Sequence, residues 1–229
     1  MELSEDIYGK LINIAGRQRM LSQRIGFLLL SASSQSTGGP MSPALLPMLD
    51  RALEDFCTGH GLLLNGDEDA GLPKLASQRI DAVLKTADTD CGQHLIERFV
   101  HEARAFILNI EKGDLPEPEE LAAFSDLVLV DLLQTLQAVV SALEEDFAEE
   151  MQRRRDRRNE ETQRVMDAIQ EIQKASKFSR MIALNAKISA DRAGPFGKEF
   201  GALTEELKQI SAAITDSSEN ILKHDPGKP

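Results

Sequence analysis

The first predicted helix contains a stretch of residues that could bind an anion. In INIAGRQRMLSQRIG, Ile12, Gly16, Arg19, Gln23 and Gly26 step by four, three, four and three residues, so they share one helical stripe. Glycine inside a helix costs about 1 kcal/mol relative to alanine, which indicates a close approach of another group. An arginine on such a stripe can face its own copy across a two-fold axis, where an oxyanion would relieve the repulsion between guanidinium groups.

Two further arginines, Arg17 and Arg24, lie seven residues apart on a neighbouring stripe. From the residues alone, an ordinary basic helix face is the favoured interpretation of these arginines. The anion-binding interpretation therefore depends on additional information.

A metal site is a second possibility. Cys57 and His60, and likewise Cys91 and His94, are three residues apart, and two such pairs on adjacent helices could form a tetrahedral zinc site. However, His60 falls on an apolar stripe, His94 falls on a polar face, and no compact spacing joins the pairs. We therefore expect no metal and no cofactor, and the remaining alternative is a zinc-dependent redox or metal sensor built on these pairs.

Catalytic motifs are not found in the sequence. It has no glycine-rich phosphate loop, no HExxH motif and no serine or cysteine in a nucleophile context. We therefore expect that the protein is not an enzyme.

Composition and periodicity predict an all-α fold. Aromatic residues make up 4% of the 229 residues, and helix-forming residues are abundant. The first helix has an apolar seam that only Gln18 interrupts. That seam is Ile7, Leu11, Ile14, Gln18, Leu21, Ile25 and Leu28. The predicted helices span 4–32, 44–65, 74–112 with a break at 87–92, 119–193 and 198–221.

The last helix is expected to return along the long helix as an antiparallel coiled-coil hairpin. Gly194 and Gly197 would supply the tight turn, and the tail from Lys223 to Pro229 would be frayed. The predicted packing seam of the returning helix is Phe200, Leu203, Leu207, Ile210, Ile214, Ser217 and Ile221.

Charge divides the chain into two parts. Residues 1–150 carry 11 basic and 26 acidic side chains, whereas residues 151–229 carry 15 and 12. The acidic first part disfavours a nucleic-acid or anionic-membrane surface. Purely apolar runs are much shorter than a membrane span, the start does not resemble a signal peptide, and two cysteines form no disulfide framework. We expect a soluble cytoplasmic protein with domains 1–150 and 151–229.

The string AGRQRMLSQRI resembles the signature of the PilJ-type domain, found at the N-terminus of type IV pilus chemotaxis transducers. It is also similar to the nitrate/nitrite-sensing domain of NarX-like histidine kinases. The resemblance covers roughly Ile7 to Phe147 and implies an antiparallel four-helix bundle that dimerises through helix 1. In nitrate-sensing members a Gly-x-x-Arg element binds the anion at the dimer interface, which corresponds here to Gly16 and Arg19. Arg17 and Gln23 complete the predicted ligand-binding set.

The stretch MIALNAKISADRAGPFGKEFGALTEELKQIS resembles the signalling tip of methyl-accepting chemotaxis receptors. In that family the tip contacts the chemotaxis histidine kinase and its coupling protein. Pro195, Lys187, Asp191 and Lys208 depart from the family pattern, the hairpin is short, and no methylation site is found. The predicted tip residues are Asn185, Arg192, Gly194, Phe200, Glu206 and Lys208.

These observations predict a cytoplasmic, homodimeric signal-transduction protein. Its four-helix bundle would sense a small, nitrate- or nitrite-like anion and relay the signal through a long helix to a truncated receptor-like hairpin. The expected partners are a second copy, the chemotaxis kinase complex or other receptors, with no nucleic acid and no membrane. The main alternative is a ligand-independent adaptor of a chemosensory or regulatory complex.

Overall fold

The computed structural model describes residues 3–35, 44–74, 77–85, 91–114 and 116–223. Two compact units make up the chain, Met1–Met151 and Gln152–Pro229. The described residues contain helices and no strand, so the predicted all-α fold class is confirmed. The predicted loop at 36–43, the break at 86–90 and the tail at 224–229 lie outside the described residues.

Seven α-helices are described. They are α1 (Glu5–Gln35), α2 (Leu45–Asn65), α3 (Gln78–Leu84), α4 (Gly92–Glu111), α5 (Pro118–Asp126), α6 (Leu133–Arg192) and α7 (Lys198–Lys223). A π-helical segment, Leu127–Leu132, joins α5 to α6, and a 3-10 turn, Gly194–Gly197, precedes α7. The first helix extends three residues beyond its predicted end.

In the first unit, α1 runs antiparallel to the α5–α6 region. Tyr8, near the start of α1, packs against Phe147 with ring centroids 5.4 Å apart. Near the other end of α1, a Cβ on Gly26 would lie 3.5 Å from Val128. Residue numbers therefore rise along one helix as they fall along the other, as an antiparallel pair requires.

Helices α2 and α4 are also antiparallel. Cys57 of α2 is hydrogen-bonded to Arg104 of α4. Further along α2, Leu63 lines the same cavity as Ile96, which lies earlier in α4. Helix α2 in turn packs along α1, and the π-helical segment packs on both α1 and α4. The long helical segments thus enclose one core.

Phenylalanines form the centre of that core. Phe99 of α4 lies between Phe56 and Phe124, with ring centroids 4.9 and 5.7 Å away, and Phe106 contacts Phe124 at 5.3 Å. The predicted α1 seam also faces this core, because Leu11, Gln18, Leu21, Ile25 and Leu28 are buried. Helical periodicity alone therefore identified the inner face of α1.

A cluster of ion pairs connects α3 to α6. The Arg79 guanidinium lies 2.6 Å from Asp146, 3.2 Å from Glu145 and 2.8 Å from Glu149. Hydrogen bonds to Asp146 and Glu149 raise the pKa of Arg79. Ser77 caps α3 by accepting the Ile80 N–H and donates its hydroxyl to Asp146. This cluster positions a short helix that has few contacts of its own.

In the second unit, α6 and α7 pack against each other mostly through small side chains. The predicted packing seam of α7 was therefore wrong. Within this unit, the buried residues of each helical segment recur every seven positions, and the two sets face each other. Ser176 donates to the Ser211 carbonyl at 2.6 Å, and a Cβ on Gly201 would lie 3.8 Å from Ala190. The buried set is Ile169, Ser176, Ala183 and Ala190 on α6, and Gly197, Thr204, Ser211 and Ser218 on the returning segment.

The large apolar residues of the predicted α7 seam are exposed instead. Phe200 is 53% exposed and Leu203 is 62% exposed, and the other large members of the seam are also at the surface. Small side chains let the two helix backbones approach closely, so α7 packs against α6 through the face that carries its small buried residues. The larger stripe then points away from α6.

Within the residues that the structure describes, one helix is long and apolar enough to cross a membrane by length and composition alone. It is the continuous helical stretch Pro118–Arg192. This finding differs from the expectation that no segment resembles a span. It is weak evidence for a span, since core helices of soluble proteins pass the same test, and Leu132, Leu136, Val139 and Leu143 of this stretch are buried in the first unit.

Candidate functional site

The candidate anion site lies on α1. Gly16 and Arg19 are half-buried, whereas Arg17 and Gln23 are exposed. At about 100° per residue, Gly16, Arg19 and Gln23 share a face, and Arg17 lies about 100° away from Gly16. Arg17 is two residues from Arg19 and therefore lies about 160° away from it around the helix. The helix thus presents a group of three residues, and Arg17 points to a different side of α1.

The guanidinium of Arg19 carries the clearest sign of an unfilled interaction. Its Nε atom is buried without a hydrogen-bond partner, although an arginine has five N–H donors that are normally paired when buried. The same residue's backbone carbonyl accepts a 2.9 Å hydrogen bond from Ser22 Oγ. This bond involves only the backbone of Arg19, so the Nε donor of its side chain stays without an acceptor.

The outer face of α1 around this group is apolar. Met20, Phe27 and Leu30 are exposed, with Phe27 reaching 69%. A Cβ added to Gly16 would meet nothing within 4 Å, so the space beside this glycine is open in the single chain. The sequence prediction missed these apolar residues, although their spacing of seven and three is a helical signal.

Gly26 does not belong to the outward stripe. It is buried, and a Cβ at this position would lie 3.5 Å from Val128 in the same chain. The close approach predicted for this glycine is therefore made by Val128 of the same chain. Its small size serves the packing of α1 on the π-helical segment.

The four residues of the alternative zinc site have separate surroundings. Cys57 is hydrogen-bonded to Arg104, and burial raises the pKa of the Cys57 thiol. His60 lines an internal cavity, Cys91 precedes the first residue of α4, and His94 is exposed on that helix. Within the described parts of the chain, no group of three or more His, Cys, Asp or Glu residues could hold a metal ion.

The predicted signalling-tip residues are at the surface of the second unit. All are exposed except Lys208, which is half-buried. Gly194 has a φ of 63°, a conformation that favours glycine, so it supplies the predicted turn. Gly197 has a different role, because a Cβ there would collide with the backbone of Ala190.

An ion-pair cluster that sequence reasoning missed joins the two arms of the hairpin. The Nζ atoms of Lys187 and Lys208 lie 2.6 and 2.9 Å from Glu205 carboxylate oxygens. These hydrogen bonds lower the pKa of Glu205 to about 2. The two lysines are departures from the receptor pattern, and the carboxylate between them is their common partner.

Replacing Lys187 with methionine is expected to raise the pKa of Glu205 toward its ordinary 4.5. The stabilisation that Glu205 provides is present above the pKa of the unfolded chain and is lost as the pH falls from about 4.5 toward 2. A carboxyl ¹³C NMR titration of the full chain measures this pKa. Lys174→Met, on the same helix, is the control and should leave it near 2. An unchanged pKa in Lys187→Met would contradict the assignment of the cluster.

Residues 5–95 match the family model of PilJ, described as the type IV pili methyl-accepting chemotaxis transducer N-terminal domain. The matched range contains α1, α2, α3 and the start of α4, and therefore all four candidate ligand residues. The match suggests a signalling role of the chemotaxis-transducer kind. No curated protein and no solved structure matches the chain.

The PilJ match supports part of the predicted resemblance. It includes the AGRQRMLSQRI string but ends before the last bundle helix, which was predicted to belong to the same domain. The likeness to nitrate-sensing kinases and to a receptor hairpin remains a prediction. PilJ is a signalling domain, and this agrees with a regulatory rather than a catalytic role.

Proposed function

We propose that the protein is a cytoplasmic, homodimeric signal-transduction protein that senses a small anion of the nitrate or nitrite kind. The first unit binds the anion through Gly16 and Arg19, with Gln23 on the same face of α1, whereas Arg17 lies on a different side of the helix. The second unit is the output hairpin. Helix α6 links them covalently, because its residues contribute to both.

The observation that carries the anion proposal is the unpaired Nε of Arg19 on a PilJ-matched helix. A guanidinium offers two parallel N–H donors to a planar oxyanion, and such charge-assisted bonds are about twice as strong as neutral ones. The half-buried position of Arg19 reduces screening by solvent. An oxyanion at this position would supply the missing acceptor.

The homodimer proposal is supported by the exposed apolar face of α1. Met20, Phe27 and Leu30 are large side chains that a bundle helix normally buries. The open space beside Gly16 allows another backbone to approach this face. A two-fold axis there would bring two copies of Arg19 together, and the anion would offset their repulsion.

Calorimetric titration of the full chain with nitrate and with nitrite tests the sensing proposal. Arg19→Ala is expected to weaken binding by at least about tenfold, because it removes a charged hydrogen-bond donor. Arg24→Ala removes the same charge from an exposed position of α1 and should retain wild-type affinity. The sensing proposal fails if neither anion binds the wild type or if both variants bind equally well.

A second candidate function, a ligand-independent adaptor, is favoured by the exposed apolar stripe of α7. Phe200, Leu203 and Ile210 are each more than half exposed, which suits a protein partner. In this case the first unit dimerises without binding an anion, and the hairpin recruits the chemotaxis kinase complex or another receptor. The adaptor would retain its partner in a pull-down with Arg19→Ala and lose it with Leu203→Glu.

The proposed cytoplasmic location has its own test. Because one helical stretch is apolar enough to span a membrane, cell fractionation should be followed by a carbonate wash of the membranes. The proposal predicts that the protein is recovered in the supernatant. Recovery in the washed membranes would contradict it.

A further inference from the structure

A small cavity lies inside the helical bundle of the first unit, away from the outer face of α1. Its volume is about 20 Å³. The walls are mostly aliphatic, and two polar side chains, Gln18 and His60, interrupt them. The aliphatic walls include Leu63, Leu84, Ile96 and Leu136.

Gln18 is the residue that makes this cavity unusual. It occupies a core position of the α1 seam and is 1% exposed. Neither its Nε2 nor its Oε1 atom has a hydrogen-bond partner in the protein. Buried side-chain amides are almost always paired, since an unpaired one loses its hydration without compensation. The amide therefore has two donors and an acceptor available for a guest.

The opposite helix leaves room for this amide. Gly59 of α2 is buried, and a Cβ at this position would collide with Gln18 Nε2. An alanine would therefore force the amide to move. The pairing of a core glutamine with a core glycine shows that the packing of α2 accommodates Gln18, which makes an accidental polar substitution a poor explanation.

His60 is the second polar side chain in the cavity wall, and its imidazole is uncharged. Burial lowers its pKa, an effect that the nearby Glu97 carboxylate partly opposes. The neutral imidazole has one donor and one acceptor nitrogen. None of the residues that line this cavity is an Asp, Glu, Lys or Arg, so a charged guest would have no counter-charge.

We propose that this cavity binds one small uncharged molecule that both donates and accepts hydrogen bonds, with the Gln18 amide as its principal contact. A cavity needs roughly 10–15 Å³ of this kind of volume to hold one water molecule, so the guest is of water size. Water fits this volume, whereas a small amide or alcohol has the required hydrogen-bonding groups but more heavy atoms, so it could enter only if the cavity expands. This site is separate from the Arg19 surface and does not depend on dimerisation or on anion binding.

Crystal structures of the full chain test the proposal. The wild type is expected to show one guest about 2.7–3.2 Å from Gln18 Nε2 or Oε1. Gln18→Leu removes both amide atoms and should lose the guest. Gln134→Leu makes the same chemical change at an exposed position of the same unit and should keep it. If Gln18→Leu does not fold, Gln18→Met replaces it, since methionine matches the length of glutamine without its amide.

Titration with formamide and with methanol, followed by methyl NMR of the cavity leucines, distinguishes the possible guests. Saturable shifts in the wild type that disappear in Gln18→Leu would identify a site for small organic molecules. A guest seen in the crystal without such shifts would identify a resident water. A wild-type cavity with no guest, a Gln18 amide paired with protein groups, or a guest that persists in Gln18→Leu would overturn the proposal.

Discussion

Replacing Phe99 with alanine is expected to lower the free energy of unfolding of the first unit by about 3–5 kcal/mol. Phe99 is fully buried and contacts both Phe56 and Phe124. Its removal loses the transfer free energy of the ring and leaves a cavity between α2, α4 and α5. The packed helices around it can collapse only partly, so the cost should be near the upper range for core substitutions.

The single tyrosine provides a specific probe for this measurement. The chain has one Tyr and no Trp, and Tyr8 is buried against Phe147 in the first unit. Urea unfolding followed by tyrosine fluorescence therefore reports the first unit, while far-UV circular dichroism reports all helices. Leu108→Ala, at an exposed position of the same helix, should change stability by less than about 0.5 kcal/mol. Equal effects of the two substitutions would contradict the described core.

Gly197→Ala is expected to destabilise the hairpin of the second unit by about 3 kcal/mol, near the upper end of overpacking effects. A Cβ at Gly197 would overlap the carbonyl of Ala190. Because the clashing atoms belong to the backbone, no rotation of a side chain can relieve the overlap. The substitution must separate α7 from the end of α6 or distort the turn between them.

Gly201→Ala is the matched control, one helical turn further along α7. Its Cβ would lie 3.8 Å from the Ala190 Cβ, which is an ordinary contact. Alanine is favoured over glycine in a helix by about 1 kcal/mol, so this variant should stabilise the hairpin. Hydrogen exchange of the α7 amides measures both effects. The close-packed hairpin would be contradicted if both substitutions had the same sign.

The inner surface of the first unit could be predicted in detail from sequence. The apolar seam of α1 and the buried positions Ile96, Phe99, Ala103 and Ile110 of α4 follow from helical periodicity, because one side of each helix must leave water. Gln18 could be identified as an exception in the seam. Its missing hydrogen bonds could not, since they depend on which groups α2, α4 and α6 bring beside it.

The hairpin shows why periodicity was not enough in the second unit. Helix α7 carries two stripes with heptad spacing, a large apolar one and a small one, and the large one was predicted to pack against α6. The small stripe packs instead, because Gly197, Ala190 and Ser211 let the two helices approach closely. A periodic pattern identifies the faces of a helix that could pack, but it does not specify which of two such faces packs against the neighbouring helix.

For the candidate anion site too, part of the description was available from the sequence and part came only from the tertiary structure. The AGRQRMLSQRI string led to the prediction that Gly16, Arg19, Arg17 and Gln23 bind the ligand, and the PilJ match includes that string. The tertiary structure shows that Gly26 turns inward to Val128 and that Arg19 Nε lacks a partner. These facts depend on the angle at which α1 packs on its neighbours, which helical spacing does not fix.

By itself, the sequence determined the all-α class, the inner faces of the bundle helices and the motif that resembles a sensory domain. These are local or periodic properties, and each follows from neighbouring residues along one helix. Only the tertiary structure decided that the hairpin closes on its small residues, that Gln18 and His60 share one cavity, and that Glu205 lies between two lysines. Each of these depends on residues that are distant in sequence, and they meet only because packing fixes the separation and register of whole helices.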